Sequence, residues 1–179
     1  YGYTREYPVE QYYRDNRLNP IHEGSNGIQA IDLLGRKVLA DQGAGLRALL
    51  DAMAATIESA AGAAELLPCA QALAQYAKRA ADVTLRIGGE LAQGRVRAGL
   101  ANASHYLTLM GHLCVAWMWL RQALVAQAAL PSATPATAVF YRGKLQTCQF
   151  FFRQELPVVE RDVRVLESLD DSAFAMAPE

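Results

Sequence analysis

At 179 residues and 52% hydrophobic, the chain is long enough to bury one core and too apolar to be disordered. Its 17 basic and 18 acidic residues leave a net charge of −1, which excludes a charge-driven partner such as nucleic acid or an anionic membrane surface. Cys69, Cys114 and Cys148 are odd in number and widely spaced, fitting neither a disulfide framework nor a zinc pattern. In apolar helical surroundings they read as buried reduced thiols, which points to a reducing, cytoplasmic setting. No initiator Met and no apolar leader open the sequence, so Tyr1 is expected to be a cut in a longer chain.

Helix formers dominate, and no convincing alternation of period two marks a strand. Pro8 suits a first helical turn, predicting a short helix over 8–15. Asn19-Pro20 is expected to break the chain direction, leaving 16–25 as a loop. Ser25 and Asn26 are expected to cap a helix over 27–40, with Leu33, Leu34 and Val38 on its apolar side. Gly43 and Gly45 weaken any helix through 42–45, which reads as a junction.

Beyond the junction the composition turns Ala-rich and four long helices follow. The first covers about 44–61, with Leu46, Leu49, Leu50, Met53 and Ile57 on one stripe. The second covers about 65–92, with Pro68 in its first turn and Leu73, Tyr76, Ala80, Val83 and Ile87 as its seam. The third covers about 97–129, with a seam of Tyr106, Met110, Leu113, Trp117, Leu120 and Leu124. The fourth covers about 135–155, with Tyr141, Leu145, Cys148 and Phe152. Pro131-Ser-Ala-Thr-Pro135 separates the last two. Spacings of three and four are those of helices packed at shallow angles. A short helix is expected past Pro157 to about Leu169, with a frayed tail from Asp170. The fold class is therefore all-α: an elongated up-and-down four-helix bundle over 42–179, preceded by terminal helices over 1–41. The stretch Ala98–Leu120 carries no charge and is long enough to span a bilayer. Asn102, Ser104, His105, Thr108 and His112 interrupt it, so a buried central helix is the reading, and membrane association is not expected.

The chemistry concentrates near the start. Glu23 stands in a predicted loop after Pro20, with Gly24 and Gly27 close behind it, and a helix begins just beyond. Glycines admit a ligand or a second backbone, and a helix N-terminus offers free N–H groups. A carboxylate desolvated there has a raised pKa and can act as a general base. Taken alone, a loop Glu is more often a solvated side chain or a cap partner. His105 and His112 lie seven apart rather than four, and read as buried or interface histidines rather than metal ligands. No metal site is expected. Phe140, Tyr141, Phe150, Phe151 and Phe152 suit a helix core better than an acyl pocket, and Arg95 and Arg97 a solvated surface better than a phosphate site.

The ordered residues Tyr7-Pro8-Val9-Glu10, Arg14-Asp15 and Ile21-His22-Glu23-Gly24-Ser25-Asn26-Gly27-Ile28-Gln29 resemble the C-terminal signature of the acyl-CoA dehydrogenases. The resemblance implies that Glu23 is the catalytic base, taking a proton α to the thioester carbonyl of an acyl-CoA to give a trans-2-enoyl-CoA. It implies that Gly24 lies beside the acyl-CoA, and Ser25, Asn26 and Gly27 beside the flavin, FAD. His22 and Ser25 depart from the family's usual Tyr and Thr; Ser25 keeps the hydroxyl. Leu33-Leu-Gly-Arg-Lys37, Trp117-Met-Trp-Leu-Arg-Gln122 and Phe151-Phe-Arg-Gln-Glu-Leu-Pro157 resemble the subgroup with a C-terminal helical extension, which includes enzymes acting on methylthiopropanoyl-CoA. An electron-transfer acceptor and a homo-oligomeric assembly are implied with it. The expectation is a dehydrogenase whose C-terminal part is this chain, inactive and without flavin alone. The alternative is a non-catalytic helical oligomerisation module.

Overall fold

The structure, a computed structural model, describes residues 5–21 and 25–172. Among them the chain is all-α, as the periodicity predicts. The helices are α1 (Val9–Asn16), α2 (Leu18–Ile21), α3 (Ser25–Asp32), α4 (Ala44–Ala60), α5 (Leu67–Ala92), α6 (Val96–Leu100), α7 (Ala103–Ala129), α8 (Pro135–Phe150) and α9 (Glu160–Ser168).

The first segment departs from expectation in two places. Residues 18–21 form a helical turn, α2, where a loop was expected. Pro20 is accommodated because the first-turn N–H groups of a helix have no intrahelical acceptor to lose. Ser25 is the first residue of α3 rather than a cap outside it. The helix then widens into a π-turn over Leu33–Lys37, closed by Val38 N–H donating to Leu33 O at 2.8 Å. An ordinary helix drifts between residues spaced by four; the wider turn rephases it, so that Ala30, Leu34 and Val38 are all buried.

The junction is sharper than two glycines alone require. Asp41, Gln42 and Gly43 are all left-handed, with φ of 47°, 56° and 79°. Gly43 adopts this without cost, whereas Asp41 and Gln42 carry strain. The Arg47 guanidinium holds the turn by donating to Gln42 O.

The other helices gather around α7, which packs against α3, α4, α5, α8 and α9. This explains why its apolar residues are not confined to one stripe: Leu109, Ala116, Ala123 and Ala126 are buried as well as Tyr106, Leu113 and Leu120. Trp117 and Leu124, predicted in the seam, are only half-buried. By length and composition the segment Val96–Ser132 could cross a membrane; in the fold it supplies the central helix. The predicted helix over 97–129 is broken at Ala101–Asn102, where Asn102 Nδ2 reaches Asp170 O at 2.8 Å. Gly99 lets α6 close on α5: a Cβ there would lie 2.7 Å from Leu91 Cδ2.

The stripe of α4 is buried only at Met53 and Ala60; Leu46, Leu49, Leu50 and Ile57 stay half-buried. This helix is thus at the margin of the core. In α5 the predicted seam is buried at Leu73, Ala80, Val83 and Ile87. Pro68 sits in the first turn of α5, and Pro135 in that of α8, where Thr137 N–H donates to the Thr134 hydroxyl at 3.3 Å. After α8 the chain repeats the earlier device, a π-turn over Phe151–Glu155. Pro157 cannot donate back to the carbonyl four residues earlier, and the wider turn absorbs that loss. Cys148, Phe152 and Leu156, each four apart, stay in the core.

Candidate functional site

Of the five residues predicted to carry chemistry, Ser25, Asn26 and Gly27 are the first three of α3. Ser25 is half-buried, and Asn26 and Gly27 are exposed. A Cβ built on Gly27 meets nothing within 4 Å, so this glycine answers no packing need of the chain itself. Glu23 and Gly24, with His22, lie outside the described residues.

What positions the start of α3 is its other end. Ala30 and Leu34 are fully buried against α7, so the helix is anchored on the central element while Asn26 and Gly27 stay exposed. On the outer side, Ile28, Gln29, Ile31 and Asp32 line an open depression of about 550 Å³ with Arg36 and Lys37. Asp32 pairs with both cations, at 3.2 and 3.1 Å, and keeps them over the last turn of the helix.

The remaining candidates resolve into structural roles. His105 Nδ1 is 2.6 Å from Asp162 Oδ1, an α7–α9 contact made by a carboxylate distant in sequence. His112 Nδ1 donates to Thr108 O at 2.9 Å within α7. The described residues hold no group of His, Cys, Asp and Glu able to take a metal ion. Arg95 grips Glu90 through two hydrogen bonds of 2.6 and 2.7 Å, which hold the Glu90 carboxyl below the ordinary glutamate range.

Cys69 and Cys148 are buried, Cys114 is half-buried, and all three are free thiols. Cys69 and Cys148 share a hydrogen bond that depresses the Cys69 pKa and raises that of Cys148, whose burial adds to the rise. On α5, Arg79 spans to α9 with hydrogen bonds of 2.8 and 2.9 Å to Glu167 and 2.7 Å to Glu160. Those hydrogen bonds, with the guanidinium charge behind them, hold both carboxyls below their usual range.

One feature escaped the sequence reading. A groove of about 750 Å³ opens between α4, α7 and α8, with Arg121 and Lys144 among its lining residues. Its sequence signal is a pair of aromatic-then-cation spacings of four, Trp117 to Arg121 and Phe140 to Lys144, each bringing a cation onto a ring.

Comparison with known proteins divides along the chain. Residues 1–39 match the family described as acyl-CoA dehydrogenase, C-terminal domain. Residues 49–177 match the family described as acetyl-CoA dehydrogenase C-terminal like. The chain is 33% identical, over 98% of its length, to a broad-specificity linear acyl-CoA dehydrogenase of Mycobacterium tuberculosis, of which it covers 30%. It is 38% identical, over 87% of its length, to the 3-methylmercaptopropionyl-CoA dehydrogenase of Ruegeria pomeroyi, of which it covers 26%. A 42-residue stretch is 48% identical to a cyclohexane-1-carbonyl-CoA dehydrogenase of Syntrophus aciditrophicus, covering 24% of this chain and 11% of that protein. The chain thus spans less than a third of the length of the relatives that match most of it.

Proposed function

The chain belongs to the acyl-CoA dehydrogenase family, as a C-terminal part, and we propose that it completes an FAD-dependent enzyme that converts an acyl-CoA thioester to the trans-2-enoyl-CoA. The observation that carries this is the match of residues 1–39 to the acyl-CoA dehydrogenase C-terminal domain, within which Gly27, with open space beside it, follows Glu23 by four residues. Asn26 and Gly27 fit a flavin edge, since both are exposed and Gly27 allows close approach. FAD, when bound, supplies the hydride acceptor.

In this reading Glu23 removes the α-proton of the thioester, and its backbone N–H donates to the thioester carbonyl, stabilising the charge that develops there. Gly24 leaves room for the acyl-CoA. Ser25, Asn26 and Gly27 hold the cofactor's polar edge, and α7 keeps their helix in place through Ala30 and Leu34. Residues 1–41 form the end of the dehydrogenase's helical domain and 42–179 its extension. The enzyme is cytoplasmic, passes electrons to a separate acceptor and works as a homo-oligomer. Tyr12, Tyr13, Ile28 and Ile31, all exposed, supply apolar surface for that assembly and for the rest of the enzyme.

The test uses the full-length enzyme. Glu23→Gln should lower turnover by about 10²–10⁴-fold with the flavin absorbance unchanged; full activity in that variant moves the base elsewhere. The 179-residue chain alone should be colourless and inactive, because the rest of the active site lies outside it.

A further inference from the structure

From the groove between α4, α7 and α8 we infer that the chain binds an amphipathic carboxylate, a molecule with one apolar tail and one anionic head, at a site apart from α3. The walls fit the tail. Ala55 of α4, Val125 of α7 and Phe140 of α8 line the groove, and Val125 and Phe140 are 68% and 59% exposed. Its volume of about 750 Å³ lies within the range of small-molecule sites. The polar groups of the α4 wall are already engaged. The Thr56 hydroxyl donates to Ala52 O at 3.1 Å and accepts from Trp117 Nε1 at 2.8 Å, and Ser59 Oγ donates to Ala55 O at 2.8 Å. That wall is therefore apolar in effect.

The cations fit the head. Arg121 lies 5.3 Å from the centre of the Trp117 ring. Lys144 lies 5.3 Å from that of Trp119 and 5.5 Å from that of Phe140, and donates to Gln122 Oε1 at 3.0 Å. Among the described residues, neither cation has a carboxylate within ion-pair distance, whereas Arg79 has two and Arg95 has one. Ring faces and an amide hold a cation in place but leave its charge uncancelled. Two such charges beside low-dielectric walls focus a positive potential onto the groove of a chain whose net charge is −1. A neutral apolar peptide would leave both cations unmatched; a tailed carboxylate satisfies walls and charge together.

Both tryptophans of the chain sit under these cations, so intrinsic fluorescence reports the site directly. Dodecanoate titrated below its micelle threshold should shift that emission saturably. Dodecanol, with the same tail and no charge, should bind about tenfold more weakly. Arg121→Gln with Lys144→Gln should weaken dodecanoate by about tenfold and leave dodecanol unchanged. Ala55→Phe should fill the groove and abolish both. Equal binding of acid and alcohol, absence of saturation, or indifference to Ala55→Phe overturns the inference. So does gel filtration showing a dimer that Val125→Asp dissociates, which would give the groove to a second copy of the chain.

Discussion

Residues 9–21 and α7 treat the same side chains in opposite ways. On α1, Tyr12 is 73% exposed and no residue of the helix is buried. On α7, Tyr106 is fully buried and its hydroxyl lies 2.7 Å from Thr84 Oγ1. The chain thus holds a packed helical array and a leading segment whose exposed apolar residues add nothing to that core. Burial, not composition, separates a segment that stabilises this chain from one that presents a surface to something else.

That contrast can be broken most directly at Leu113, fully buried at the centre of α7. Leu113→Ala should cost about 2–5 kcal/mol, read as a lower urea midpoint for the whole array. The Thr84–Tyr106 pair comes next. Thr84 Oγ1 donates its one proton to Ala80 O at 2.6 Å, so Tyr106 must be the donor between the two hydroxyls. Thr84→Val strands the Tyr106 hydroxyl and should cost about 1–3 kcal/mol, whereas Tyr106→Phe removes the orphan and should cost about 1 kcal/mol. The reverse order would mean that the proton runs the other way.

Smaller is the Arg79 clasp on α9. Glu160 and Glu167 are held below the ordinary glutamate range by Arg79. Their contribution is present above the unfolded value of about 4.3 and is lost as pH falls through the depressed folded values. Arg79→Met should therefore flatten the loss of stability below about pH 4, by less than about 1 kcal/mol given the exposure of both carboxylates. Equal acid sensitivity in variant and parent chain would remove the clasp from the account. Least of all, Tyr12→Ser should change the stability of the 179-residue chain by no more than about 0.5 kcal/mol. A larger loss would place α1 in the core and erase the contrast.

Periodicity located the long helices because their apolar residues recur at three and four, and α4, α5 and α8 begin or end within a few residues of their predicted limits. It misjudged depth. In α4, Leu46 and Leu50 follow the same rule as Leu73 and Val83 of α5, yet stop half-buried, because depth depends on neighbours that a single helix does not encode. The break at Asn102 was hidden for the same reason, since its partner Asp170 is 68 residues away. The site divides likewise. Ser25, Asn26 and Gly27 stood out in the sequence because they follow one another in a motif, and they lie together at the described start of α3. The groove was not, because three helices each lend it one side. Asp162 gave no sign of facing His105 for want of any local spacing.

The left-handed turn at Asp41–Gly43 has a bearing on how freely the chain can be altered. No residue of Ala40–Gly43 is buried. The turn interrupts helical phase, so the rotation of α4 about its axis is not inherited from α3. Residues added or removed there would shift neither Leu34 on one side nor Met53 on the other, both of them fully buried. Inside the π-turns, one extra residue would rotate every core side chain downstream. Length is negotiable in this molecule at a strained turn and fixed in its smoothest-looking helices.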